Sequence, residues 1–407
     1  MSGRLRQMIR SRSSPLNKPL LLGLLLAVAL PSQHSRAQEL GEGLQAHGFI
    51  SQSVVHTSDN RVGGRSDDSL GWNLREMGAN LSWRPSPDWL LSGQMLARWA
   101  GQADEGDIRL DYGFVDRVLF SDGDSQIGAR LGKIKNPYGF FNTTRDVAHT
   151  RPGIIMPQSI YLDQIRNFFL AAPGMALYGN SEFQSGNLSW QISLLRPEVD
   201  DANLEYIFIL GDQPGKFRGR NSWLGQAMFD MGGEWKMGVS LGQMNMSYKP
   251  APVDVDGPGK HNLPTWVLSL EHNTEDWSVT AEYGRTGVKA KGFINFNTDH
   301  WSEAGYVQLT RRFSPGWHAY LRYDVMYYDK DDKDGTIFST NLAGLVPPYS
   351  LYAKDWVLGV RKDLDRLALS AEVHVVDGTG WLAQVENPAL SQTRKWNMLL
   401  LQAAWRF

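Results

Sequence analysis

The sequence predicts an all-β fold, a transmembrane antiparallel β-barrel of about 16 strands, on three observations. Apolar and polar residues alternate with period two along nearly the whole chain. The connections between these segments alternate between short and long. After the N-terminal residues, no apolar run is long enough to cross a bilayer as a helix.

At the N-terminus, Arg4, Arg6, Arg10, Arg12 and Lys18 precede an apolar run from Leu20 to Leu30. That run is too short for a spanning helix, and SQHSRAQ follows, with the small residues Ser35 and Ala37. The pattern predicts a signal peptide over 1–37, cleaved after Ala37, rather than a short membrane anchor, and one barrel domain over 38–407. Residues 1–37 hold six of the 41 Lys and Arg and none of the 43 Asp and Glu, leaving 35 basic against 43 acidic residues, net −8. That balance gives no reason to expect a nucleic-acid partner. There is no cysteine, which excludes a disulfide framework, a zinc knuckle or a haem-attachment motif.

WHAYLRYDVMYY, from Trp317 to Tyr328, shows the period most plainly: Leu321 and Val325 lie on one face, Arg322 and Asp324 on the other. Segments of this kind predict strands near 44–55, 72–84, 88–99, 108–119, 126–135, 173–183, 187–196 and 221–230, then 233–248, 264–273, 276–288, 302–313, 316–328, 353–362, 366–377 and 396–407. The tight connections carry turn formers, as in RPSPD at Arg84, SDGDS at Ser121 and SPG at Ser314. The long ones include 56–71, 136–172, 197–220, 249–263, 289–301, 329–352 and 378–395. A meander with short periplasmic turns at one end and long extracellular loops at the other produces this asymmetry.

Alternation alone also fits a soluble sandwich of two sheets. A closed barrel of this size is too wide for side chains to fill, so its interior holds water and its apolar face points outward. Tryptophan placement supports that arrangement: Trp89, Trp190, Trp235, Trp277 and Trp317 open strands after tight turns, and Trp72, Trp223, Trp266, Trp301, Trp356 and Trp396 open strands after long loops. Two such belts are what two membrane interfaces select. The last strand, WNMLLLQAAWRF, ends with Leu399, Leu401, Ala403, Trp405 and Phe407 on one face. A terminal aromatic on such a strand resembles the assembly signal of bacterial outer-membrane barrels, so Trp405 and Phe407 are candidates for that role.

With these features in place, the chain resembles a Gram-negative outer-membrane porin of the 16-stranded general and phosphate-selective groups. RLGKIKNPYGFFNTTRDVAHTRP, followed by PQSIY, carries the most specific local likeness. The resemblance implies that the third long loop, 136–172, folds into the lumen and narrows a channel. It further implies a homotrimer, contact with membrane lipid and lipopolysaccharide, insertion by the outer-membrane assembly machinery, and no cofactor. Pro137, Pro152 and Pro157 explain why that loop does not pair as strand.

In a pore the functional residues are the wall. If Trp89, Leu91, Met95 and Trp99 face lipid, Arg98 faces the lumen, and by the same parity so do Arg109, Asp111 and Arg117, with Arg130 on the fifth strand. Gly132 reads as a bulge that brings Lys133 and Lys135 inward. Across the barrel the inward positions collect the acids Glu271, Glu282, Asp324 and Glu372, so a basic wall faces an acidic one. The loop adds Arg145, Asp146, His149, Arg151, Asp163 and Arg166. With Lys133 and Lys135 the constriction is net positive by about three, which predicts mild anion preference. The competing reading pairs Arg145 or Arg151 with Asp146, and Arg166 with Asp163, so that the charges only pin the loop.

Other motifs are weaker. GDQPGKF at Gly211 lacks the glycine spacing and the Ser or Thr of a phosphate loop. DKDDKDG, 329–335, aligned as a calcium loop puts Lys330 at the first ligand position and Asn341 at the last, so a solvated acidic loop fits it better. LEYIFIL, Leu204 to Leu210, suits either a subunit contact or the lumen. A passive diffusion channel for small hydrophilic solutes is the leading function and implies no enzymatic activity. A surface-binding adhesin or scaffold is the alternative. A barrel hydrolase lacks a recognisable nucleophile and base among the nine His residues.

Overall fold

The structure, a computed structural model, describes residues 38–201, 203–209, 211, 213–294 and 297–407; the expected signal peptide at 1–37 lies outside them. The alternating segments form β1 (Leu44–Thr57), β2 (Gly71–Ser86), β3 (Trp89–Ala100), β4 (Arg109–Ser121), β5 (Ser125–Lys135), β6 (Ala171–Phe183) and β7 (Gly186–Leu195). They continue as β8 (Lys216–Gly219 and Ser222–Met231), β9 (Trp235–Lys249), β10 (Gly259–Asn273), β11 (Trp277–Lys291) and β12 (Thr298–Trp301 and Glu303–Ser314). The last four are β13 (Trp317–Tyr327), β14 (Tyr352–Leu364), β15 (Leu367–Gly378) and β16 (Lys395–Arg406). The two halves of β8 lie along the same strand β9, and those of β12 along β11, so each pair is one stave. The segment Gln38–Gly41 is a short hairpin partner of β1.

Each stave pairs antiparallel with its sequence neighbours, and β16 pairs with β1 from Met398↔Thr57 to Arg406↔Phe49. The barrel is therefore closed at 16 staves. Closure removes both sheet edges, the condition for strands in a bilayer, where an unpaired backbone group costs several kcal/mol. The long connections L1 (58–70), L2 (101–108), L3 (136–170), L4 (196–215), L5 (250–258), L6 (292–297), L7 (328–351) and L8 (379–394) emerge at one end and the short turns at the other.

The seam carries the last residue. Gly48 and Phe407 exchange both backbone hydrogen bonds at 2.9 Å, and a Cβ on Gly48 would lie 2.2 Å from Cζ of the Phe407 ring. Gly48→Val is expected to displace the ring, cost about 1–3 kcal/mol as an overpacked contact, and reduce the folded band in heat-modifiable gel electrophoresis. An unchanged folded fraction would show that the seam tolerates a side chain there.

The outer face is apolar as the alternation requires, and most of the belt tryptophans lie on it: Trp72, Trp89, Trp223, Trp277, Trp317 and Trp356 are exposed. Trp396 departs from the expectation. It shares parity with Met398 and Leu400, faces the interior, and packs on Trp381 of L8 with ring centroids 5.3 Å apart. Leu399 and Leu401 are 44% and 51% exposed while Met398 and Leu400 are 2% and 0%, so β16 is apolar on both faces. The inward face needs apolar residues because loops, not only water, fill the lumen beside it.

Two apolar clusters occupy much of the interior. In one, the five-residue helix Leu204–Phe208 of L4 packs with Phe168 of L3 against Leu224, Met244, Met246 and Leu263. Leu204–Ile209 thus enters the lumen, and burying each large apolar side chain there contributes about 2 kcal/mol. In the other, Trp381 and Leu382 of L8 pack with Ile154 of L3 on Val376, Trp396 and Leu400. In L7 the acidic stretch is a structural turn: the Asp332 carboxylate accepts the backbone N–H groups of Ile337 and Phe338, at 3.2 and 2.8 Å, at the start of the helix Thr336–Asn341.

Candidate functional site

L3 leaves the wall where Lys135 ends β5. The base of the loop is closed by Asn136, whose N–H donates to the Leu170 carbonyl at 2.9 Å, and by Asn142 Nδ2, which donates to the carbonyls of Asn136 and Phe169. From there the chain crosses the lumen, because its backbone donors find carboxylates on the far wall. Glu282 on β11 accepts the Phe140 N–H at 2.8 Å, the Tyr161 hydroxyl at 2.6 Å, and the wall hydroxyls of Ser269 and Tyr306. Asp324 on β13 accepts the N–H groups of Gln158 and Ser159. Glu372 on β15 accepts those of Ile154 and Ile155 at 2.9 and 3.2 Å, together with the Tyr320 hydroxyl. His374 bridges Glu372 to Asp355, and the wall donates back through Gln308 to the Pro152 carbonyl and through Arg322 to that of Ile155.

Three of the four inward acids are therefore the far anchors of L3, and the acidic wall does not stand open to the solvent. Glu271, nearer the turn end, binds Asn273 and Thr280.

On the near side the cations are paired, though not as the sequence suggested. Arg98 contacts Glu76, Asp104 and Asp163. Arg145 pairs with Asp163 at 3.1 Å and donates to the Tyr161 carbonyl. Arg166 pairs with Asp146, which is shared with Lys135, and Asp111 lies 3.8 Å from both cations. Arg151 pairs with Glu76 at 2.5 Å. The expected partners within the loop are thus exchanged, because the fold brings Glu76 of β2 and Arg98 of β3 between them. Around L3, the six cations Arg98, Arg109, Lys135, Arg145, Arg151 and Arg166 meet the five carboxylates Glu76, Asp104, Asp111, Asp146 and Asp163. These six cations exceed their five carboxylates by one, and the far-wall carboxylates Glu282, Asp324 and Glu372 also bind the loop.

Two backbone features correct the inward assignments. Between β3 and β4 the register slips at Asp111, with Gln94 opposite Tyr112 but Met95 opposite Leu110. A bulge reverses the parity beyond it. Arg117 consequently lies outside, its guanidinium 5.0 Å over the Trp89 ring, and Asp116 turns inward to pair with Arg130 at 2.7 Å and accept the Tyr178 hydroxyl. Gly132 is not a bulge, since pairing with both neighbours runs through it without a shift. It has φ +139°, and a Cβ there would sit 2.3 Å from the Gly113 carbonyl oxygen, so only glycine fits. Beyond it Lys135 reaches L3, while Lys133 binds Glu198 of L4 and the Leu110 carbonyl, and Arg109 binds Asp104.

Sequence reasoning missed Glu76, Asp104 and Asp116. Glu76 shares a period-two face with Leu74, and that inward parity was a usable signal; the other two depend on a loop path and a bulge.

Burial works against the charged forms of the loop carboxylates, yet Lys135 and Arg166 hold Asp146, and Arg98 and Arg145 hold Asp163, well below the usual carboxylate range. With folded values below the unfolded ones, these pairs contribute fully above about pH 4 and are lost as the pH falls further. Burial, reinforced by Arg406 and Arg361, pushes His149 down to about 4, so it adds no positive charge at neutral pH.

A cleft of about 920 Å³, counting open solvent, lies between L3 and β1–β3, β16 and L8. Arg98, Arg151 and Arg166 line it, together with Trp381 and Leu382.

A closed barrel with one loop strapped across its lumen invites comparison with solved membrane channels. An anion-selective porin from Comamonas acidovorans superposes with a TM-score of 0.56 at 11% identity, over 89% of this chain and 99% of that one. The barrel has the porin fold. The outer membrane channel DcaP of Acinetobacter baumannii gives a TM-score of 0.57 at 12% identity, covering 93% of this chain and 100% of that one. OmpT of Vibrio cholerae in its trimer form gives 0.54 at 10%, over 89% and 99%. No protein-family model matches the chain, and comparison with curated proteins finds no sequence match. The likeness is one of porin architecture.

Proposed function

We propose that this porin-fold protein is exported by its N-terminal segment to the outer membrane of a Gram-negative bacterium and acts as a channel for passive diffusion of small hydrophilic solutes. The observation that carries this reading is L3, held across the lumen by Glu282, Asp324 and Glu372 beside a cleft lined by charged side chains. A loop built this firmly into a barrel sets pore size. The constriction residues are the cations around L3, above all Arg98, Arg145, Arg151 and Arg166, whose small excess over their carboxylate partners favours anions weakly. A homotrimer in contact with lipid and lipopolysaccharide, inserted by the assembly machinery through Trp405 and Phe407, completes the proposal.

Planar bilayers with purified protein test it. Discrete single-channel steps are expected, with a reversal potential in a KCl gradient displaced slightly toward the chloride equilibrium potential. Cation preference would reject the anion reading. Absence of any current would reject the channel and favour a surface-binding role for the loop end.

A further inference from the structure

A groove lies on the outer face of the barrel across β10, β11, β12 and β13. Gly305 of β12 stands in register between Tyr283 and Val325, so no side chain fills the space between them, and a hollow of about 960 Å³, counting open solvent, results. Leu268, Leu270, Tyr283 and Val307 line it, and all four are exposed.

Three cations gather at the loop end of this groove. Arg285 of β11 shares the outward parity of Tyr283, with its guanidinium 5.8 Å from that ring. Lys354 of β14 shares the outward parity of the exposed Trp356. Lys333 reaches over from L7, and its ammonium lies 4.9 Å from the Tyr327 ring, with that of Lys354 5.9 Å from the same ring. Tyr283 and Tyr327 both line the groove, which places all three cations at its rim. Trp266, opposite Arg285 in register, marks this height as the loop-end membrane interface.

One carboxylate joins them there: Glu303 lies 3.2 Å from Arg285 and 2.7 Å from Lys333. Three cations against one carboxylate leave the rim net positive by two. The neighbouring acids have cations of their own, Asp377 in Arg394, Asp299 in Lys289 and Asp331 in Lys330. The rim is also accessible, since the side chains of Arg285 and Lys333 are 35% and 49% exposed. Cations at a membrane surface attract anionic headgroups, and here an exposed apolar bed for the attached chain continues from them toward the bilayer.

Resting on the outer-membrane reading above, we propose that this groove holds a phosphorylated lipid of the outer leaflet. The phosphate lies on Arg285, Lys333 and Lys354, and an acyl chain runs along Leu268, Leu270 and Val307. A second copy of the barrel seated here would bury cations without adding an anion, so the subunit contact lies elsewhere on the wall.

Native mass spectrometry of the detergent-solubilised full chain measures lipid binding without requiring conductance. Diphosphoryl lipid A is expected to bind at least about tenfold more tightly than its dephosphorylated form, since each cation near the headgroup contributes about fivefold. Arg285→Ala combined with Lys354→Ala, checked for folding by heat-modifiable mobility, should weaken diphosphoryl lipid A by about twentyfold and leave the dephosphorylated form within about twofold. Arg117→Ala, which removes an outward cation near the turn end, should change neither. Equal affinity for the two lipid forms in the wild-type protein, or an equal loss in Arg117→Ala, would overturn the site. The chain has no cysteine, so Val307→Cys gives a single thiol in the groove. Oxidative cross-linking between copies through that thiol would show a subunit contact and overturn the lipid. Lipid selectivity in a protein that passes no current would overturn the channel and leave this site standing.

Discussion

Glu282→Ala combined with Glu372→Ala is expected to release L3 and raise single-channel conductance several-fold. Glu282 accepts from Phe140, Tyr161, Ser269 and Tyr306, and Glu372 from Ile154, Ile155 and Tyr320 with His374 alongside. Removing both carboxylates leaves these donors facing alanine inside a packed lumen. Each donor left unsatisfied costs about 1–3 kcal/mol, so the sum exceeds what holds one surface loop in place. The inexpensive response is for L3 to move out, where its N–H groups meet water. Conductance recordings, with protease accessibility of L3 as the second readout, measure the effect. Unchanged conductance together with a protected loop would mean that Asp324 and the near-side ion pairs hold L3 unaided.

Arg98→Ala is expected to produce the largest change in ion selectivity. It removes one buried cation that contacts Glu76, Asp104 and Asp163 at once and leaves each of them with a single cation, Arg151, Arg109 and Arg145 respectively. Three buried carboxylates that lose one of their two cations are under-compensated, and admitting cations to the cleft relieves them. The reversal potential should therefore swing to cation preference by several-fold in permeability ratio, and adding Glu76→Gln should restore much of the original value. Arg117→Ala makes the same change of charge on the outer wall and should leave the reversal potential where it was. An equal shift for both variants would mean that net charge rather than position governs selectivity.

The staves were legible in sequence because side-chain alternation is a local property. Each of the sixteen expected strands has a stave within a few residues of it, and Ser121–Ser125 or Ser314–Trp317 turn where Gly, Pro and Asp permit nothing else. The loop that breaks period at Asn136 was legible for the same reason, since the three prolines in that stretch do not sustain a ladder. Parity was legible only until something shifted it. One extra residue at Asp111 exchanges Arg117 for Asp116 on the inner face, and no alternation pattern announces where such a residue is inserted.

The sequence by itself determined the barrel, its stave count, the asymmetry of its two ends, and the segment that leaves the wall, all from periods and turn chemistry read over a few residues at a time. The tertiary structure decided what the charges do. Residues 76, 98, 146, 163 and 166 are brought together by register and by the path of L3, so which cation meets which carboxylate depends on distances across the lumen. It also decided that Trp396 and Leu204–Phe208 lie inside, because a half-apolar segment buries itself against whichever surface the closed barrel offers, and here the loops offered one within the lumen.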